Sequence, residues 1–265
     1  MDNKKEVICF KQKRDFGEIL GAPFYFIIQE YKPFFSALFR YTYPYLFLLF
    51  VSFAMLSDDI YEMSAEQPRF SALSTVYFSF FLAALVLCFL IVVTVTYSYI
   101  AMYVKKGKDG FVAEEVGELY KKNVLNVFIA GFLVWISVLA GLLLLYIPGI
   151  YLSTALSFVF IILVYENKTI GEAFSGTFEI IKGNWWYTFA LIFVFGLIAG
   201  LMSYVVLIPI YLVVLTTFAG GGEFGYISFV ILSFLVFLYF AIYLFIVSMQ
   251  QIMLSFLYFT LKEKK

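Results

Sequence analysis

Charged and uncharged positions along this chain come in blocks. No Asp, Glu, Lys or Arg occurs at 70–104, 123–165, 183–222 or 224–261. A helix at a water-facing surface keeps one polar face, so charges recur every turn or two. Blocks this long and apolar need lipid as their solvent. In lipid the backbone must satisfy its own hydrogen bonds, so the pattern predicts membrane-crossing helices and an all-α fold.

A span across a hydrocarbon core of about 30 Å takes about 20 residues. Six spans fit the blocks: 34–56, within 70–104, 123–147, 150–165, 185–215 and within 227–261. The first holds Arg40 and Pro44 near its start. Pro148-Gly149 divides the third block, because proline breaks a helix and glycine completes a turn. The loop there must be extremely short. Pro209 predicts a kink or early end of the fifth span, and Ala219-Gly220-Gly221-Gly222 a flexible loop. The blocks 70–104 and 227–261 are each 35 residues long. As helix each would measure about 50 Å. They must tilt, bend or continue past the lipid, and are expected to project into the cytoplasm.

Basic residues then set the orientation. Lys4, Lys5, Lys11, Lys13, Arg14 and Lys32 lie before the first span. Lys105, Lys106, Lys108, Lys121 and Lys122 follow the second, Lys168 and Lys182 the fourth, and Lys262, Lys264 and Lys265 the sixth. With six spans these all fall on one side. Arg69, Asp58, Asp59, Glu62, Glu66 and Glu223 fall on the other. Both termini are therefore expected in the cytoplasm, and the whole chain, 1–265, is one integral membrane domain.

The polar segments repeat a local pattern: Phe16-Gly17-Glu18, Val116-Gly117-Glu118 and Ile170-Gly171-Glu172. Asp15 and Thr169 stand where a capping residue would, with Glu18 and Glu172 three positions on, as in a capping box. Helical spacing puts Phe16, Ile19, Leu20, Pro23, Phe24, Ile27, Ile28 and Tyr31 on one face of the first segment. It groups Val112, Val116, Leu119 and Tyr120 in the second, and Ile170, Phe174, Phe178 and Ile181 in the third. Pro23 is expected to kink the first segment or begin a new helix. The reading is three units, about 15–104, 108–165 and 168–262. Each is an interfacial amphipathic helix followed by a transmembrane hairpin.

Composition agrees with lipid as solvent. Hydrophobic residues make up 63% and charged residues 14%, against about 45–50% and about 25% in soluble proteins. There is no His, which removes the commonest general base and metal ligand. Cys9 and Cys88 are too few and too far apart in setting to imply a disulfide framework or metal site. The first 15 residues are polar and basic, so no cleavable signal peptide is expected. Basic residues scattered beside spans do not predict nucleic-acid binding, and no phosphate loop or nucleophile elbow occurs.

Ile147-Pro148-Gly149-Ile150-Tyr151, Ser157-Phe158, Val164-Tyr165-Glu166, Gly171-Glu172-Ala173-Phe174 and Lys182-Gly183-Asn184-Trp185-Trp186 together form a signature of about 40 residues. It resembles the membrane domain attached to some glycerophosphoryl diester phosphodiesterases and the related YciC-like bacterial membrane proteins. The resemblance implies a six-span bundle in a bacterial cytoplasmic (inner) membrane. It does not bring the phosphodiesterase activity, since neither His nor a carboxylate cluster is present to host it.

Candidate functional residues are few. Glu166 ends the fourth span and could form a membrane-edge ion pair with Arg40 or a nearby Lys. Arg40 could instead snorkel to headgroups. Gly196 and Gly200 fit close helix packing in the fifth span, with Ser203 beside them. Trp185, Trp186 and Tyr187 fit interface anchors. Gln250 and Gln251 could line a polar cavity or simply be wet, and Thr94, Thr96 and Ser98 form a small polar stripe. No catalytic, cofactor-binding or metal-binding residue is assigned. The expectation is a non-enzymatic scaffold or accessory subunit, with the lipid bilayer, other membrane proteins or a second copy of itself as partners. A small-molecule or ion transporter or channel is the alternative. A lipid-modifying enzyme would need Glu166 and Glu172 to face each other.

Overall fold

The computed structural model describes the backbone at 8–65, 72–219 and 226–264, and the side chains there except 57–65, 72, 217–219 and 226–229. Lys4, Lys5, Glu66, Arg69, the glycines 220–222, Glu223 and Lys265 lie outside the described residues, and Asp58, Asp59 and Glu62 are described in their backbone alone. The described chain is helical: α1 (Phe16–Ala65), α2 (Ala72–Lys106), α3 (Ala113–Leu144), α4 (Tyr146–Ala155), α5 (Val159–Glu166), α6 (Ile170–Ile181), α7 (Trp185–Ala219) and α8 (Tyr226–Lys262). A single 3-10 turn, Leu156–Phe158, links α4 to α5.

Among the described residues six stretches are long and apolar enough to cross a membrane: Phe16–Leu56, Leu73–Lys106, Ala113–Leu144, Tyr146–Glu166, Trp185–Thr216 and Val230–Lys262. The chain is an all-α membrane protein.

Helix ends fall where a residue takes the left-handed backbone or an extended break. Gly183 (φ +78) separates α6 from α7, and Asn167 (φ 54) ends α5. No such residue stands between Tyr31 and Phe34, or between Tyr120 and Asn123. The first two amphipathic segments are accordingly not separate helices: they are the opening turns of α1 and α3. Pro23, Pro33 and Pro44 each remove one N–H from the α1 ladder without ending it, and Pro209 does the same in α7. The third segment alone is its own helix, α6. Its cap is the expected box: Glu172 N donates to Thr169 Oγ1 at 3.4 Å, and Thr169 N donates to Glu172 Oε2 at 2.9 Å. Asp15 and Glu18 form the same box at the start of α1, at 2.7 and 3.1 Å. At α3 only half of it exists: Val112 N donates to Glu115 Oε1 at 3.3 Å, and a valine side chain has nothing to return.

The turn expected at Pro148-Gly149 falls three residues earlier. Leu145 alone is extended (φ −161, ψ 136), and Pro148 sits in the first turn of α4, where its missing N–H costs nothing. Gly149 serves packing instead. A Cβ there would lie 2.4 Å from Leu142 Cγ and 2.8 Å from the Leu142 backbone N, so α3 and α4 touch backbone to backbone.

The helices divide into two compact units. One comprises Met1–Tyr41, Leu90–Gly196 and Val247–Lys265; the other comprises Thr42–Phe89 and Leu197–Ile246. The first has a dense aromatic core. Phe10 is 3% exposed and stacks on Phe256 with ring centres 4.0 Å apart, while Phe26, Tyr103 and Phe259 meet its edge. Arg14 lies 4.7 Å over the Phe256 ring, where burial lowers its basicity. Leu156, Val159 and residues 161–164 are also buried. The second unit packs Phe53, Phe81 and Phe240 together, with Phe50 against Phe237.

Candidate functional site

Glu166 and Arg40 do not pair. Arg40 reaches Glu114 at the start of α3, because Tyr41 beside it is anchored there: its hydroxyl donates to the Ala113 carbonyl at 2.9 Å. Glu166 takes the nearby lysines. It accepts from Lys262 and from the Tyr258 hydroxyl on α8, and Lys168 lies 2.6 Å from its other oxygen. That bond raises the basicity of Lys168. The Glu172 carboxyl is bound to Thr169 and held below the usual carboxylate range by it, and Lys168 feels the charge of both Glu166 and Glu172.

Trp185 stacks between Tyr151 and Phe189, and its indole N–H donates to the Tyr151 carbonyl at 3.3 Å. Trp186 is exposed. Tyr187 meets Phe16 edge-on and carries Lys264 4.8 Å over its ring. A Cβ at Gly196 or Gly200 would meet nothing within 4 Å among the described residues, so no described residue closes on them. The buried residues of α6 are Ala173, Thr177 and Ile181; of the expected row Ile170, Phe174, Phe178 and Ile181 only Ile181 is among them, and Phe178 is 39% exposed. Gln251 is buried and accepts from the Tyr97 hydroxyl. Thr94 returns its proton to the Leu90 carbonyl, whereas the hydroxyls of Thr96 and Ser98 are buried with no hydrogen bond.

The residue that sequence reasoning missed is Glu30. It is 1% exposed, on the inward row of α1 formed by Ile19, Phe26, Phe34 and Ala37. Of the expected face Ile19 and Pro23 are buried, but its later members Ile28 and Tyr31 are 65% and 51% exposed. Tyr99 on α2 donates to Glu30 Oε2 at 3.1 Å. Glu30 Oε1 accepts no hydrogen bond, and Lys108 Nζ stands 3.5 Å away, close enough for an ion pair only. The Tyr103 hydroxyl, one turn along α2 from Tyr99, is also buried without a hydrogen bond.

Glu30 opens onto a cavity of about 210 Å³ lined also by Pro33, Ser36, Tyr99, Asp109 and Phe111. Its rim is the α2–α3 loop. Gly107 (φ 79) and Asp109 (φ 60) are both left-handed there. A Cβ at Gly110 would fall 2.2 Å from the Lys106 carbonyl oxygen, so the loop folds tightly on the end of α2. Phe111 rests edge-on against Tyr99 at 5.1 Å.

No protein-family model, curated protein or solved structure matches the chain. What the cavity can do follows from its chemistry alone. Two carboxylates, two hydroxyls and an aromatic ring favour a positive charge over a negative one. Among the described residues no three His, Cys, Asp or Glu side chains gather as a metal site would need.

Proposed function

We propose that this protein is a non-enzymatic membrane scaffold or accessory subunit that organises lipids or partner membrane proteins. The observation that carries the reading is the uneven burial of its spans. In the most apolar windows of α3, α7 and α8 only 17% of residues are buried, against 50% in α2 and 56% across α4 and α5. Most of the apolar surface of three spans is left for lipid or for other helices. The rest of the proposal follows the sequence: a bacterial inner membrane, both termini in the cytoplasm, and kinship with the YciC-like proteins through the signature at 147–186. Capture from membranes in mild detergent, with paired protein and lipid mass spectrometry, tests it. A reproducible partner or enriched lipid is the expected result; a chain that emerges with neither would overturn the role.

A second reading, a transporter of small cations, is favoured by one observation. Glu30 lies inside the stretch Phe16–Leu56 with an unbonded, buried oxygen. An ionisable group placed there is costly and is kept where it has work to do. Proteoliposomes that show cation flux would establish this reading, and tight proteoliposomes would remove it.

A further inference from the structure

We infer that the Glu30 cavity is a binding site for an organic ammonium group, and that Lys108 holds the place of that group when the site is vacant. The inference is independent of the organising role proposed above.

The argument begins with the cost of Glu30. A carboxylate withdrawn from water needs charge or hydrogen bonds on both oxygens. Oε2 has the Tyr99 hydroxyl; Oε1 has only Lys108 at 3.5 Å. That distance is too long for the short bond that an ammonium and a carboxylate make when nothing holds them apart. Lys108 is also half withdrawn: its side chain is 32% exposed, and it sits between the two left-handed residues of the loop. It can therefore leave Glu30 without disturbing a helix. Its ammonium is the same chemical group that the site would take from outside.

The remaining lining fits that group. An ammonium has three donors and no acceptor. Glu30, Ser36 and Asp109 in the lining carry acceptors, and Phe111 beside them carries an aromatic ring of the kind that cations favour. Pro33 and Ala37 complete an apolar wall. A volume of about 210 Å³ exceeds what one water or a bare metal ion needs and suits a small organic cation. The group could arrive on an aminophospholipid headgroup or as a free amine. The chemistry at Glu30 is the same for both.

Two measurements on the full purified chain separate these sources. In detergent, the thermal unfolding midpoint is followed against ethanolamine at constant ionic strength. In parallel, native mass spectrometry reads phosphatidylethanolamine retained from bilayer discs of phosphatidylethanolamine mixed equally with phosphatidylglycerol. Wild type is expected to respond in at least one of the two. A midpoint shift without lipid retention assigns the site to a free amine, and retention without a shift assigns it to the lipid. Glu30→Gln keeps an acceptor for Tyr99 and should abolish the response. Lys108→Met removes the internal competitor and should tighten binding by about tenfold, as when a site is freed from a closed state. The inference is overturned if wild type responds to neither probe, or if Glu30→Gln responds like wild type. It is equally overturned if Lys108→Met binds no tighter. Should Glu30→Gln fail to fold, the Lys108→Met result decides alone.

Discussion

Glu166, at the end of α5, is a single side chain on which one helix, α8, and a loop converge, through Tyr258 and Lys262 and through Lys168. Glu166→Gln should lower stability by about 1.5–3 kcal/mol, the range for hydrogen bonds to a charged group. Tyr258→Phe should cost about 1 kcal/mol, since it removes one donor. Unfolding in detergent checks both; variants as stable as wild type would show that these contacts are incidental. Gly117 makes a sharper case. A Cβ there would lie 2.2 Å from the Tyr41 hydroxyl oxygen. Gly117→Ala must push that ring off the Ala113 carbonyl and should cost about 1–3 kcal/mol, as overpacking does. That Glu166 and Arg40 bear structural charge was legible in the sequence. Their partners were not, because pairing depends on where Tyr41 docks. Glu30 escaped notice for a related reason. In α1 two rows one step apart both satisfy helical spacing and share Ile19, one continuing through Phe24, Ile27 and Ile28, the other through Phe26, Glu30 and Phe34. Only packing against Tyr99 and Phe256 chooses between them.

Helices in this chain end by backbone chemistry, and much of that could be read in advance. Asp15-Glu18 and Thr169-Glu172 were recognisable as caps, and both form. The fusion of the first two amphipathic segments with their spans was not foreseen. Amphipathicity says which face is wet and nothing about continuity; the missing glycine at those junctions says more. Thr169→Ala should destabilise by about 1 kcal/mol, the usual loss for an N-cap. The cap also gives an acid limb. Thr169 holds the Glu172 carboxyl below its ordinary value, so its contribution is full above the ordinary glutamate pKa and lost as pH falls through the lowered one. Unfolding midpoints of wild type and Glu172→Gln should therefore differ at neutral pH and converge in acid. A difference that persists at low pH would contradict the linkage. Gly183→Ala, at φ +78, should cost about 1–2 kcal/mol, the penalty for a left-handed alanine.

For the molecule as a whole, the block pattern of charge was enough to give an all-α membrane protein with six spans. It could not give the two compact units, which cut across α1, α2, α7 and α8 and depend on packing between residues far apart in sequence. One prediction belongs at this scale. A Cβ at Gly196 or Gly200 would meet no described residue within 4 Å, so alanine at each should add about 0.8–1.0 kcal/mol of helix stability. Scattering mass in detergent, taken alongside unfolding, checks it. A loss of stability together with a loss of mass would show that another chain closes on that face. Phe10 carries a different consequence. Its ring is seated among four others, and Gln12 just beyond it accepts from Thr260 at 3.4 Å, so the opening residues and the close of α8 form one latch. A chain trimmed past Phe10 would be left with a dry, benzene-sized hollow, and small aromatic solutes added to the buffer should be the first things to restore its firmness.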